Sequence, residues 1–239
     1  VSVHGGPTGV SSPTFKPSQL FWTSRGFAIL DLNYRGSTGF GRDYRRSLYG
    51  QWGVADAEDA VAGATWLAEQ GLADPDKLTI RGGSAGGYTT LAAHAFHDAF
   101  AAGASYYGIS DLEALAEDTH KFESRYLDQV IGPYPERKDL YVQRSPIHHL
   151  AGFSAPLLLL QGLDDRVVPP NQAEMIYEAL KSRGIPTAYL AFEGEGHGFR
   201  KAENQIRALE AELYFYAKVL GFELPESLPA VQIEGLISP

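Results

Sequence analysis

The stretch that most limits how this chain can fold is residues 78–88, Leu-Thr-Ile-Arg-Gly-Gly-Ser-Ala-Gly-Gly-Tyr. An apolar, β-branched run ends at Gly82, and small helix-competent residues begin directly after Ser84. Gly82-Gly83-Ser84-Ala85-Gly86 fits G-x-S-x-G, a pattern that puts a serine on a sharp strand-to-helix turn with its hydroxyl exposed above a parallel sheet. Side chains at positions 82 and 86 would collide across such a turn, so glycine has a mechanical job there. A glycine-rich loop with a surface serine would give the same letters. The pattern therefore needs partners elsewhere before it means chemistry.

The other segments supply the sheet that this turn requires. Apolar runs at 27–32, 101–107, 156–161 and 186–192 have strand length, and Val1-Ser2-Val3 reads as the tail of another strand. Helical spacing marks 17–24, 56–70, 84–97 and 171–182. A last helix puts Ile206, Leu209, Leu213, Tyr216 and Leu220 on one face, with Gly221 as its stop. Strands alternating with helices predict an α/β chain, a mostly parallel sheet with helices on both faces. Residues 112–150 are mixed, charged and proline-punctuated, and are expected to form a helical excursion over the sheet edge near a pocket. Residues 222–239 read as an extended tail packed on the surface or on a neighbour. A length of 239 residues suits one domain, 1–239.

Composition removes several classes of function. A net charge of −9 and a pI near 5.2 argue against nucleic acid as a partner. No apolar run approaches the roughly 20 residues of a membrane span. The absence of cysteine excludes thiol catalysis, disulfides and Cys-ligated metals. Gly36, Gly39 and Gly41 do not follow G-x-G-x-x-G, and no Gly-Lys-Ser/Thr occurs, which speaks against a nucleotide cradle. No cofactor and no metal are expected. His94 and His97, with Asp98 beside them, lack a third ligand and read as helix-surface histidines. His148 and His149 are adjacent and point apart in an extended segment. A cytoplasmic location is the expectation, although nothing in the composition fixes the compartment.

A serine hydroxyl needs a base to take its proton at neutral pH. In the chain order Ser, then Asp or Glu, then His, the acid and the histidine belong on loops after later strands. The run 157–161 ends at Gly162-Leu163-Asp164-Asp165-Arg166-Val167-Val168-Pro169. The run 188–192 ends at Glu193-Gly194-Glu195-Gly196-His197-Gly198-Phe199. Each candidate follows a strand at the carboxyl edge, where open α/β sheets bind ligands. Ser84, one of the two aspartates, and His197 are the candidate catalytic residues. Either aspartate fits a turn of this kind.

His4-Gly5-Gly6-Pro7, Asn33-Tyr34-Arg35-Gly36-Ser37-Thr38-Gly39-Phe40-Gly41, the Gly-Gly-Ser-Ala-Gly-Gly turn, Asp164-Asp165-Arg166-Val167-Val168-Pro169 and Gly194-Glu195-Gly196-His197-Gly198 together resemble the prolyl oligopeptidase family of serine peptidases, nearest its acylaminoacyl-peptidase and dipeptidyl-peptidase-like branch. The resemblance runs to about Gly221. It implies the α/β-hydrolase fold, with Ser84 as nucleophile, His197 as general base and then acid, and Asp164 as the residue that orients the histidine, with Asp165 as the alternative. One oxyanion donor is expected to be the backbone N–H of Ala85. The family tyrosine that supplies the other in prolyl oligopeptidase is replaced by His4, so the implied donor is the Gly6 N–H, with His4 bracing the loop. Arg166 resembles the family arginine that binds a substrate carbonyl; a surface salt bridge is its other reading. Tyr107 and Ile109 follow a strand and either line the acyl-side pocket or pack the core.

The implied function is a serine peptidase acting on short peptides through an acyl-enzyme. The same machinery serves a carboxylesterase or amidase, and a catalytically silent binding module is a third reading. Family members carry a β-propeller that this sequence lacks, and the first strands usual for the fold are missing. The chain is therefore expected to be the catalytic portion of a longer polypeptide. A truncated sheet also exposes an edge, which makes a homo-oligomer possible.

Overall fold

The computed structural model describes residues 1–118, 125–224 and 226–236. Among them six strands pair into one parallel sheet: β1 (Ser2–Val3), β2 (Asp31–Leu32), β3 (Thr79–Gly83), β4 (Ala102–Tyr106), β5 (Leu157–Gly162) and β6 (Thr187–Phe192). Their spatial order is β2-β1-β3-β4-β5-β6. Helices occupy the connections: α1 (Pro17–Thr23), α2 (Arg42–Arg46), α3 (Ala55–Glu69), α4 (Ala85–Phe96), α5 (Leu112–Asp118), α6 (Tyr126–Val130), α7 (Lys138–Arg144), α8 (Asn171–Ser182) and α9 (Ala202–Leu220). This is the expected α/β-hydrolase arrangement, a parallel sheet covered on both faces.

The strand sequences explain how two faces are served at once. On β5, Leu158 and Leu160 pack with Phe215 and Tyr216 of α9 and Trp22 of α1, while Leu157 and Leu159 meet Ile176 and Leu180 of α8. The alternation is the period of two that a strand imposes. Each of these buried leucines is worth about 1.5–3 kcal/mol of apolar burial. On β4 the side facing α4 carries Gly103 and Ser105, and their small size lets that helix approach. A Cβ at Gly103 would run into the His94 ring.

Several expectations need adjusting. Of the predicted strand 27–32 only Asp31 and Leu32 pair, with Ser2 and Val3; Phe27 and Ile29 pack beside Trp22 and Tyr216. Ile206 is 57% exposed although Leu213, two turns on along the same face, is fully buried: the covered part of that face of α9 begins beyond Ile206. His94 is not a helix-surface residue. It is 3% exposed, with its ring 6.4 Å from Phe100 and 6.5 Å from Phe153. Burial pushes its pKa down to about 4, so it is a neutral core side chain.

The excursion leaves the C-terminal end of β4, an interior strand, and its Leu112, Leu127, Val130 and Tyr141 join the core around Trp52 and Tyr88. Backbone bonds from Gly50 N to Gln129 O (2.9 Å) and from Trp52 N to Val130 O (3.1 Å) fasten it. After Gly221 the tail turns back and pairs with β6: Thr187 N donates to Glu234 O and Glu234 N to Thr187 O, at 3.0 and 2.8 Å. Residues 119–124 of the expected excursion, and Pro225 and 237–239 of the expected tail, lie outside the described residues.

Candidate active site

The junction of β3 and α4 is a sharp turn. Ser84 has φ 57° and ψ −120°, a positive φ that a side chain adopts only at a cost of about 1–3 kcal/mol. The turn is held because Ser84 N donates to Tyr106 O (3.0 Å) while Ser84 O accepts from Tyr88 N (2.9 Å). A Cβ at Gly82 would drive into the Gly86 backbone, and one at Gly86 into the Val3 carbonyl. The collision inferred from the sequence is the geometry found. Behind the turn, Arg81 Nε donates to Glu212 (2.8 Å) and the Tyr106 hydroxyl donates to the same carboxylate (2.5 Å), which locks β3, β4 and α9 together.

His197 reaches Ser84 from the loop after β6. Its Nε2 lies 2.8 Å from Ser84 Oγ, and its Nδ1 lies 2.9 Å from Asp165 Oδ2. A carboxylate only accepts, so Nδ1–H donates to Asp165 and the Nε2 lone pair faces the serine hydroxyl. The loop is shaped by Glu195, whose buried carboxylate accepts from Arg200 N (2.8 Å), Lys201 N (2.9 Å) and Asn204 Nδ2 (2.8 Å). Burial pushes that carboxyl up, but the three hydrogen bonds outweigh it and leave the pKa below the ordinary value.

The aspartate facing the histidine is Asp165, and the assignment of Asp164 is corrected. Asp164 is exposed, and its backbone N–H is spent on Glu195 O (2.9 Å). Asp165 is 4% exposed, because Val167 N and Val168 N both donate to its Oδ1 at 2.9 Å and draw the carboxylate inward. That tight turn leaves Oδ2 toward His197. Neighbouring side chains in a turn diverge, so only one of the pair can be recruited.

Beneath this turn lies Gln161, a fully buried residue that reads in the sequence as the end of an apolar strand. Its Nε2 is 3.0 Å from Val168 O, 3.2 Å from Gly162 O and 3.3 Å from Asp165 Oδ2. Its Oε1 is buried with no hydrogen-bond partner among the described residues, a situation that costs about 1–3 kcal/mol in a protein interior.

On the opposite side of Ser84 stands the loop 4–9. A Cβ on Gly5 would lie 3.5 Å from Ser84 Cβ and 3.2 Å from Gly83 O, so the loop abuts the turn directly. His4 braces it: Nδ1 lies 2.8 Å from Gly5 O, Nε2 lies 2.7 Å from Ser37 Oγ, and the ring stacks on Tyr34 at 4.4 Å. Burial holds the His4 pKa below its ordinary value. The Tyr34 hydroxyl donates to Pro7 O (2.5 Å), and Thr38 N donates to Gly9 O (2.8 Å). From the excursion, Tyr126 accepts from Thr8 N at 3.0 Å and pairs with Thr8 Oγ1 at 2.8 Å. Ala85 opens α4, where the first N–H groups have no intrahelical acceptor.

The three residues read as substrate-binding have different fates. Arg166 is exposed and, among the described residues, has neither an ion pair nor a hydrogen-bonded partner. Tyr107 has φ 39°; its ring stands edge-on to His197 at 5.1 Å and to Phe199 at 5.3 Å, and covers Gly83. Ile109 is 3% exposed and lies in the core with Tyr88 and Leu112, so it backs the site and offers no surface to a substrate. Asp111, Glu113 and His148 bring ligand-type atoms within 4.8 Å of one another, but Glu113 already pairs with Lys138 at 2.7 Å. No helix among the described residues is long and apolar enough to cross a membrane.

Known proteins resemble this chain over nearly its whole length. Dipeptidyl aminopeptidase BIII of Pseudoxanthomonas mexicana is 33% identical over 225 residues, covering 92% of this chain and 33% of that protein. A puromycin-hydrolyzing peptidase of Mycobacterium tuberculosis superposes with a TM-score of 0.94 at 53% identity, over 98% of this chain and 35% of the other. Acylaminoacyl peptidase of Pyrococcus horikoshii superposes with a TM-score of 0.85 at 29% identity, over 95% and 38%. The chain thus spans about a third of the length of these relatives. The model of the prolyl oligopeptidase family matches residues 13–223, which takes in the Ser84 turn and the loops of Asp165 and His197. By that match, and by the serine, aspartate and histidine brought together at the sheet's carboxyl edge, the chain belongs to the prolyl oligopeptidase family.

Proposed function

We propose that this chain is the catalytic domain of a serine peptidase that hydrolyses short peptides through an acyl-enzyme on Ser84. The observation that carries the reading is the continuous line from Ser84 Oγ to His197 Nε2 (2.8 Å) and from His197 Nδ1 to Asp165 Oδ2 (2.9 Å). In this reading His197 takes the serine proton as Oγ attacks the acyl carbon, then gives that proton to the leaving amine. Asp165 keeps the imidazole in the productive tautomer and stabilises its cation. The developing oxyanion is met by the N–H groups of Ala85 and Gly6, each worth a few kcal/mol, about 3 on the example of subtilisin. A water activated by His197 then frees the acyl group.

Arg166, exposed beside Asp165 and without an ion pair among the described residues, is suited to hold a substrate carbonyl, and Tyr107 walls the site behind His197. The names of the dipeptidyl aminopeptidase and acylaminoacyl peptidase relatives support short peptides as the substrate class. The chain's one-third share of those relatives leaves room for the β-propeller that the family resemblance implies as its partner domain.

The test is fluorophosphonate labelling at Ser84, combined with turnover of free, acylated and blocked peptide amides beside short acyl nitrophenyl esters. Peptide amides are expected to turn over, and Ser84→Ala to abolish both labelling and turnover. Turnover of esters alone would overturn the peptidase reading. Folded protein that does not label would favour a binding module.

A further inference from the structure

Gln161 lies outside the three residues that the proposed chemistry uses, yet its amide is directed at one of them. It is the fifth residue of β5, after four buried leucines, at a position where an apolar side chain would complete the strand. The side chain is fully buried and its Oε1 finds no partner among the described residues, while Nε2 faces three acceptors. Two of these, Gly162 O and Val168 O, are the two ends of the loop that carries Asp165. The third is Asp165 Oδ2, the oxygen that receives the His197 proton. Oδ1 is already held by Val167 N and Val168 N, so without Gln161 nothing among the described residues but the histidine would fix Oδ2.

We infer that Gln161 is a positioning residue for the Asp165–His197 pair: its amide clasps the loop shut and fixes the Asp165 oxygen on which His197 is aligned. The inference rests on the serine-hydrolase reading above. A donor on Oδ2 also spreads the carboxylate's charge and so sets how strongly it supports the imidazolium. The groups facing His197 through which this is read are Asp165, Ser84 and the neutral phenol of Tyr107.

Two substitutions in the full-length protein test it. Gln161→Met keeps length and volume, removes the donor and removes the orphaned acceptor. It is expected to lower kcat tenfold or more with KM within about twofold, to change the thermal midpoint only modestly, since the orphaned Oε1 is removed while Val168 O loses its donor, and to weaken or shift the downfield proton NMR signal of His197 Nδ1–H. Gln161→Glu adds a carboxyl beside Asp165 and is expected to move the acid limb of the kcat/KM profile to higher pH. Wild-type kinetics and an unshifted acid limb in both variants would overturn the inference. So would a loss of activity that only follows a loss of folding. Fluorophosphonate labelling of the wild type separates the two levels. If Ser84 does not label, the underlying reading fails; if it labels and both variants match the wild type, only the role of Gln161 fails.

Discussion

At the scale of single residues, the two aspartates that stand together in the sequence are separated by what their carboxylates touch. Asp165 accepts two backbone N–H groups and His197, whereas Asp164 is exposed. Asp165→Asn is therefore expected to reduce kcat by about three to four orders of magnitude, as when a buried triad aspartate loses its charge and the histidine its tautomer. Asp164→Asn is expected to stay within about threefold. Steady-state kinetics on a peptide amide, with thermal midpoints showing both variants folded, checks the pair. Ser84 and His197 were legible because the serine, an acidic loop and the histidine each follow a strand in the expected order, which no single glycine pattern would have shown. The choice between Asp164 and Asp165 was not, because it depends on where the amides of Val167 and Val168 point. Gln161 escaped notice for a related reason: a polar residue at the end of a leucine run has no periodicity to mark its target.

At the scale of elements, two contacts tie the surroundings of the Ser84 turn, the loop 4–9 and α4, to segments far from them in the chain. The first is the hydroxyl of Tyr126 on α6, which holds Thr8 two residues after Gly6. Tyr126→Phe removes that tether with the packing intact. It is expected to lower kcat about tenfold with little change in KM, since a donor set loosely meets the oxyanion late. A ground-state inhibitor binding as before would accompany this. The second is Asp56 on α3, fully buried, which accepts from Gly53 N (2.6 Å) and lies 2.5 Å from Thr89 Oγ1 on α4. Thr89 Oγ1 is also 3.0 Å from Ala85 O, so its single proton is shared between that carbonyl and the Asp56 carboxylate. Burial, only partly offset by the bonds from Thr89 and Gly53, raises the Asp56 pKa from 3.8 to about 6.

The folded state thus binds the Asp56 carboxyl proton more tightly than the unfolded one. The stabilisation is full below about pH 4 and is lost as pH rises through about 6, a change of about 3 kcal/mol. Urea midpoints of wild type and Asp56→Asn between pH 4 and 7 should diverge with that sign, the wild type losing ground as pH rises. α3 and α4 were legible from their spacing, and α6 only as part of the helical excursion expected over 112–150. Their ties were not, because a phenol or a buried carboxyl says nothing in sequence about which loop it will meet.

At the scale of the whole molecule, the sheet and its two covered faces follow from patterns that any strand and helix must obey. Leucines alternate between α8 and α9, and small residues on β4 admit α4. Of the strand expected at 27–32 only Asp31 and Leu32 pair, with Ser2 and Val3. The chemistry sits where β3, β5 and β6 end, and Ser84 and His197 are 113 positions apart in the chain. During synthesis Ser84, the proposed nucleophile, emerges long before His197, and the two meet only after the last strand has docked. On the proposed reading, hydrolytic competence arrives together with the finished sheet, and in a urea series activity should disappear with the same midpoint as tertiary structure.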